Sequence, residues 1–311
     1  MKKPVIVVVG SSNTDMVIKS ERIPVPGETV LGGRFVMAPG GKGANQGVAA
    51  ARLGGNVLFV ARVGDDTLGS QAMENYRAEG IDVTFVTRDA DEATGVALIL
   101  VDGKGENLIS VASGANYRIG PEDVDRAADA IRAADMIVVQ LETPLPAIAR
   151  AAEIAAEAGI PVILDPAPAP NDPIPTEILE KITYIKPNEN EASRLTGMEV
   201  TDVESAKRAA EKLLTFGVRG VIVTLGTAGA LLVEKGKEPV LVPSRKVNAV
   251  DSTAAGDCFS GGLAVALAEG KPLQAAAEFA AAAAALSVTR LGAQPSLPTR
   301  DETLAFMKEG K

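Results

Sequence analysis

Short β-branched runs alternate with alanine-rich stretches of helical spacing, and this alternation restricts the fold more than any other feature of the chain. Val5–Val9, Val57–Arg62, Met136–Gln140, Val162–Asp165 and Gly220–Thr224 read as core strands. Between them, Gly43–Leu53, Leu68–Glu79, Pro121–Ala133, Pro144–Ala158 and Glu204–Phe216 repeat apolar residues at helical spacing, with Gly159 and Gly217 placed as C-caps. The rhythm predicts an α/β fold: a central, mainly parallel sheet with helices on both faces and right-handed crossovers. From Asp257 onward the chain reads as nearly all helix, with windows at Phe259–Ala268, Leu273–Val288 and Asp301–Lys308.

Two segments break the rhythm, Met16–Met37 and Thr94–Ser110. In the second, Gly95–Val101 and Glu106–Val111 flank the turn Asp102-Gly103-Lys104-Gly105. Neither has an adjoining helix, so both are assigned to a small accessory β-sheet that is either a lid or a plain edge extension. The expected division is a main α/β body from residues 1–12, 38–93 and 112–311, and a small sheet from 13–37 and 94–111.

Composition removes whole classes of chemistry. The chain has no histidine, which excludes Ser-His-Asp and Cys-His nucleophile schemes and His-ligated metals. A single cysteine, Cys258, excludes an intrachain disulfide and a thiolate cluster, and suits a reducing cytoplasm. The balance of 31 Lys and Arg against 40 Asp and Glu, a net charge of −9, argues against nucleic acid or an anionic membrane as partner. The apolar run after Met1-Lys2-Lys3-Pro4 stops at Val9, so it reads as a buried first strand and not as a leader. No stretch has the roughly 18 apolar residues of a membrane span; the alanine-rich run Ala275–Val288 contains Glu278 and carries no chemistry.

The remaining candidates are carboxylates, lysine, backbone amides and hard cations. Gly40-Gly41-Lys42-Gly43-Ala44-Asn45 opens a helix with glycines, leaving amides free to approach a polar ligand; the same glycines also suit an ordinary turn, with Lys42 a solvated charge. Asn13 and Asp15 follow the first strand, where α/β sheets keep their crevice and an amide with a carboxylate can grip sugar hydroxyls; by residue type alone they read as an Asx-turn in which both side chains cap their own backbone. Glu142, just after the strand ending at Gln140, raises the same choice.

Val250-Asp251-Ser252-Thr253-Ala254-Ala255-Gly256-Asp257 enters a helix through small residues, so that successive amides converge on an anion hole for a transferring phosphoryl group. Asp257, in or just before the first helical turn, is then either a base or a carboxylate stabilising the helix N-terminus. Thr224-Leu225-Gly226-Thr227-Ala228-Gly229 forms a glycine loop able to lie along a nucleotide. In Lys186-Pro187-Asn188-Glu189-Asn190-Glu191, Asn188 and Glu191 share one helix face, where they suit hydrated Mg²⁺, a capping box, or both.

The chain resembles the ribokinase-like family of ATP-dependent carbohydrate and nucleoside kinases from end to end. The resemblance is carried by Asn13-Thr14-Asp15, Pro26-Gly27-Glu28-Thr29, Gly40–Asn45, Gln140-Leu141-Glu142, Pro187-Asn188-Glu189, Thr224-Leu225-Gly226, Ala254-Ala255-Gly256-Asp257 and Gly292-Ala293-Gln294-Pro295-Ser296 in the family's order. It implies phosphorylation of D-ribose at the 5-hydroxyl, with ATP as donor. Asn13, Asp15, Gly41, Lys42, Asn45 and Glu142 would hold the sugar and Asp257 would accept its proton. Ala254, Ala255 and Gly256 would form the anion hole. Asn188, Glu191, Thr224, Gly226, Thr227, Gly229, Gly256 and Ala281 would lie along ATP, with Mg²⁺ near Asn188 and Glu191.

The resemblance further implies a monovalent cation, usually K⁺, held by Asp251, Thr253, Ser287, Arg290, Gly292 and Ser296, and a homodimer formed through the lid. Ala281 departs from the polar or imidazole side chain that relatives often set against adenine, and Cys258 stands where Thr is frequent. A kinase of another sugar or a nucleoside on the same fold, and a sugar sensor without turnover, are the competing readings. The intact Ala254–Asp257 turn counts against the sensor.

Overall fold

The computed structural model describes residues 3–309; Met1, Lys2 and residues 310–311, assigned above to the main body, lie outside the described residues. In chain order, the first half contains β1 (Val5–Val9), β2 (Asn13–Lys19), β3 (Arg34–Gly40), α1 (Lys42–Arg52), β4 (Asn56–Gly64), α2 (Thr67–Ala78), β5 (Val86–Asp89), β6 (Gly95–Val101), β7 (Asn107–Ala112), α3 (Pro121–Arg126), α4 (Ala128–Arg132), β8 (Met136–Gln140) and α5 (Leu145–Ala158). The second half contains β9 (Val162–Asp165), α6 (Thr176–Leu179), β10 (Tyr184–Ile185), α7 (Glu189–Thr196), α8 (Val203–Leu214), β11 (Gly220–Thr224), β12 (Ala230–Glu234), β13 (Val240–Val242), α9 (Ala255–Ala268), α10 (Leu273–Ser287) and α11 (Arg300–Glu309).

Nine strands form the main sheet in the order β13-β12-β11-β10-β9-β8-β1-β4-β5. The pairs from β11 through to β5 are parallel, and β11-β12-β13 is an antiparallel edge. Side chains alternate across β1, so Ile6 and Val8 face the core shared with α1, α2, α9 and α10, while Val7 and Val9 face the core shared with α3, α4, α5 and α8. That two-sided burial is why these strands are almost pure Val and Ile.

A separate four-stranded sheet, β3-β2-β6-β7, is built from the two segments that break the rhythm. Its register puts Asn13, Asp15, Val17, Val36, Ile99 and Ile109 on one face, and Met16, Ile18, Phe35, Met37, Leu98 and Leu108 on the other.

Several expected elements differ in detail. The helix expected over Pro121–Ala133 is two, because Ala127 leaves helical geometry and its amide turns onto Val124 O at 2.9 Å. α8 ends at Leu214 with Thr215 as C-cap, so Gly217, at φ +105°, belongs to the following turn; Gly159 is the expected left-handed C-cap of α5. β5, β10, β12 and β13 add strands that the sequence reading lacks. β10 is two residues long, too short for a periodic signal, and the tight β12-β13 connection cannot carry a parallel crossover. The helix expected from Phe259 begins at Ala255, which brings Asp257 inside its first turn.

Candidate active site

Asn13, Asp15, Gly41, Lys42, Asn45, Glu142 and Asp257 gather beyond the carboxyl ends of β1 and β8, where the N-termini of α1 and α9 and the root of the small sheet also meet. α9 approaches α1 closely because glycine stands where a side chain would collide: a Cβ on Gly261 would lie 2.7 Å from Ala49 Cβ and 2.8 Å from Ala50 N. This close packing brings Asp257, 6% exposed, against two amide side chains of α1. Asn45 Nδ2 donates to its Oδ2 at 3.0 Å and Gln46 Nε2 to its Oδ1 at 3.0 Å. Burial pushes the Asp257 carboxyl up to about 6; Lys42 and the two amides pull it down, and Asp165 reinforces the rise.

Asn13 and Asp15 lie in β2, two residues apart on one face, and not in an Asx-turn. Asn13 Oδ1 accepts from Asn116 Nδ2 at 2.7 Å. Its neighbours across the sheet are Gly40 and Gly95. A Cβ on Gly95 would sit 2.1 Å from Asn13 Oδ1, and one on Gly40 would sit 2.3 Å from Asp15 Oδ1. Glycine on both flanks is what lets these two side chains lie flat along the sheet. Burial, with Glu142 and Asp257 nearby, raises Asp15 to about 6.

Gly41, at φ +89°, turns the chain from β3 into α1; a Cβ there would lie 2.7 Å from Asn13 N. Glu142 Oε2 receives the Lys42 amide at 3.0 Å and the Ser11 hydroxyl at 2.5 Å, tying the Gly40–Asn45 loop to the end of β8. The Lys42 ammonium lies among Asp257, Asp165, Glu142 and Glu191, and their charge raises it above its ordinary range against the opposing cost of burial.

The turn before α9 holds Ala254 in the left-handed region at φ +59°, a conformation costing a non-glycine residue about 1–2 kcal/mol. Of the expected anion-hole donors, the Ala255 amide is used inside the turn, on Ser252 O at 3.2 Å. The amides of Ala254, Gly256 and Asp257 have no hydrogen-bond partner among the described residues.

Asn188 and Glu191 make the reciprocal capping box at the start of α7: Glu191 N donates to Asn188 Oδ1 at 2.8 Å, and Asn188 N to Glu191 Oε2 at 2.9 Å. Burial and Asp165 raise the Glu191 carboxyl, and its Oε1 makes no hydrogen bond among the described residues. Asn188 is bridged to Thr224. Beyond Thr224, Gly226 and Thr227 form a short 3₁₀ turn, and Gly229 packs so tightly that a Cβ would lie 2.0 Å from Val242 O. Val242, Ser244, Arg245, Ala281 and Phe306 line an open groove of about 830 Å³. Of the expected nucleotide residues, Asn188 and Thr224 are thus paired and Gly229 abuts Val242 on the rim of the groove that holds Ala281.

Asp251 Oδ1 accepts from the Thr253 hydroxyl at 2.6 Å and from Thr253 N at 2.9 Å, and Oδ2 from Gly292 N at 2.8 Å; against the opposing effect of burial, these bonds hold it below the usual carboxylate range. The Arg290 side chain is turned away to Glu302 at 2.6 Å, and the hydroxyls of Ser287 and Ser296 bond back to their own turns. The carbonyls of Thr253, Arg290 and Gly292 accept no hydrogen bond among the described residues.

Sequence reasoning missed the layer beneath Asp257. Gln46 Nε2 also donates to Asp165 Oδ2 at 2.9 Å, Ser260 Oγ reaches the same oxygen at 3.0 Å, and Lys186 Nζ lies 3.2 Å from it. Gln140 Nε2 donates to Gln46 Oε1 at 2.7 Å, orienting that amide. Strand-end polar residues were the available signal, since Gln140 and Asp165 each close a strand that is otherwise apolar.

The profile of the pfkB family carbohydrate kinase matches residues 3–300. The ribokinase of Haemophilus influenzae is 44% identical over 97% of this chain and 98% of its own. Among solved structures, Arabidopsis thaliana ribokinase complexed with ribose and ATP superposes with a TM-score of 0.93 at 37% identity, covering 99% of each chain. Ribokinase from Thermotoga maritima superposes with a TM-score of 0.89 at 43% identity, covering 98% of this chain and 99% of that one. The match spans both sheets and every candidate residue named from the sequence, and the chain belongs to the pfkB family of carbohydrate kinases.

Proposed function

We propose that this chain transfers the terminal phosphoryl group of ATP to the 5-hydroxyl of D-ribose. The observation that carries the reading is Asp257: a buried carboxylate, gripped by two amides, between a polar cradle and backbone amides that have no partner among the described residues. Asn13, Asp15, Asn45 and Glu142 with the Gly41–Lys42 backbone form a cradle for hydroxyl groups. As the sugar oxygen bonds to the γ-phosphorus, the bridging P–O bond to ADP breaks and the hydroxyl proton passes to Asp257. The Gly256 and Asp257 amides suit the charge on the phosphoryl oxygens in flight. The sugar substrate follows the similar ribokinases, one of them solved with ribose and ATP.

Mg²⁺ fits beside Glu191, whose free Oε1 offers one carboxylate oxygen to an ion that usually keeps several waters; when bound, it supplies neutralisation of the phosphate charge. K⁺ fits beside Asp251, because one carboxylate and unengaged carbonyls are donors for a large, weakly hydrated cation, which supplies fixed positive charge near the turn. The small sheet is read as a lid. Its second face exposes Ile18, Phe35, Met37, Leu98 and Leu108, which supports a homodimer made through that face. One buried cysteine suits a reducing cytoplasm, and no helix among the described residues is long and apolar enough to cross a membrane.

The test is ADP release from Mg-ATP with ribose, 2-deoxyribose, fructose and adenosine, each in K⁺ and in a bulky organic cation. Ribose-dependent turnover stimulated by K⁺ is expected. Turnover with another acceptor and none with ribose would move the substrate, and sugar binding with no turnover for any acceptor would establish the sensor.

A further inference from the structure

Asn116 has none of the roles assigned so far, yet it is 2% exposed at the root of the small sheet. It sits in a short 3₁₀ turn, Gly114–Arg118, just after β7. Gly114, at φ +48°, lets that turn dock on the segment leading into β6: a Cβ there would lie 2.1 Å from Ala93 O, and the Ala115 amide donates to the same oxygen at 2.8 Å. Gly95 leaves the space that the Asn116 carboxamide fills, since a Cβ on it would lie 2.3 Å from Asn116 Nδ2.

The direction of the hydrogen bonds is the second observation. Ser12 N donates to Asn116 Oδ1 at 2.8 Å, and Asn116 Nδ2 donates to Ser12 O at 3.1 Å. A backbone amide only donates and a carbonyl only accepts, so these two bonds leave the Asn116 carboxamide a single orientation. Ser12 is itself fixed, its hydroxyl paired at 2.5 Å with that of Tyr76, a residue with no exposed surface. The same Asn116 Nδ2 donates to Asn13 at 2.7 Å, so the end that Asn13 turns toward it is Oδ1. Asn13 Nδ2 is then the free end: it has no partner among the described residues and is not enclosed by protein.

The two ends of a carboxamide are alike in shape and opposite in chemistry. Without Asn116, either end of Asn13 could face the crevice; with it, only a donor does. Asp15, two residues along the same strand face, presents an acceptor. We propose that Asn116 is a positioning residue for sugar recognition: by holding Asn13 Oδ1 it presents Asn13 Nδ2 to one hydroxyl of a bound polyol. That hydroxyl accepts a hydrogen bond from Asn13 and donates its own to Asp15. Asn116 itself touches no substrate. The inference rests on the sugar-kinase reading above, but its test uses binding alone.

Binding of ribose, 2-deoxyribose and 3-deoxyribose, and separately of ATP, is measured by calorimetry on wild type, Asn13→Ala, Asn116→Ala, Asn116→Asp and the double variant Asn13→Ala/Asn116→Ala. Asn116→Ala is expected to weaken ribose by about 5- to 50-fold, the range for a hydrogen bond lost in a buried site, with ATP changed by less than about twofold. Sugar by sugar, its loss should follow that of Asn13→Ala, and the double variant should bind each sugar within about twofold of Asn13→Ala alone. Asn116→Asp keeps an acceptor for Ser12 N, so it tests the proposal even if Asn116→Ala does not fold. Its carboxylate draws Asn13 Nδ2 away from the crevice, and the same losses should appear. Wild-type ribose affinity in Asn116→Asp, losses that add in the double variant, or equal weakening of ATP and ribose would overturn the proposal and leave Asn116 as a brace between the small sheet and the body. Wild type that binds ribose without phosphorylating it would overturn the kinase reading alone. Wild type that binds no pentose would overturn the sugar reading, and the orientation is then read from nitrogen–proton correlation spectra. There the Asn116 side-chain signals, identified by their loss in Asn116→Ala, should move in Asn13→Ala; unmoved signals would overturn the proposal.

Discussion

Asp257 shows how one side chain is tuned by what surrounds it. Asn45 and Gln46 stabilise its charged form, but removal from water dominates and raises it to about 6, leaving a carboxylate at neutral pH that is a better base than a solvated one. The rate should therefore fall as pH drops through about 6. Asp257→Asn should lower kcat by about 10²–10⁴-fold with ribose affinity retained, as read by steady-state kinetics and calorimetry. Stability carries the same titration with a definite sign. Because the folded value lies above the ordinary 3.8, the group's contribution is complete below about pH 4 and is lost as pH rises through about 6. Wild type should thus lose up to about 3 kcal/mol relative to Asp257→Asn between those limits, measured by urea unfolding. The sequence already marks Asp257 by its small neighbours. It does not mark Asp165, which joins Gln46, Ser260 and Lys186 only where β9 and β10 end side by side beneath α9.

At the scale of elements, the small sheet has two unlike faces from one register. The face of Asn13 and Asp15 turns toward the crevice, and the opposite face exposes Phe35 at 58% and Leu98 at 55%. A single strand period generates both, because residues i and i+2 share a face. If the second face pairs copies of this chain, Phe35→Lys with Leu98→Lys should convert a dimer to a monomer in sedimentation velocity, while unfolding free energy per chain changes little. A wild-type chain that sediments as a monomer would sink the reading. These strands are legible in sequence because Gly95–Val101 and its partner flank a turn. β5, β10, β12 and β13 are not, since their pairing depends on neighbours supplied from elsewhere in the chain.

Over the whole molecule, the crevice lies between a body with two buried cores and a thin sheet that contributes Asn13 and Asp15. Sugar held by both should restrain the thin sheet far more than the nine-stranded one. Amide exchange in β2, β3, β6 and β7 is expected to slow by about tenfold or more with saturating ribose, with little change in β1, β4 and β8, because local opening and global unfolding are separate events. Uniform slowing across both sheets would argue against closure.

The amino-acid sequence by itself determined the alternation that makes the parallel sheet, the glycine-opened start of α1, the small-residue turn before Asp257, and the exclusion of histidine chemistry. Those features are local, expressed in residue type and spacing over a few turns or one strand. Only the tertiary structure decided that Asn45 and Gln46 meet Asp257, that Glu142 meets the Lys42 amide, and that Lys186 meets Gly256. Each of these depends on side chains far apart in sequence being brought within a few ångströms by helix and sheet packing, and no periodicity along the chain encodes such a distance.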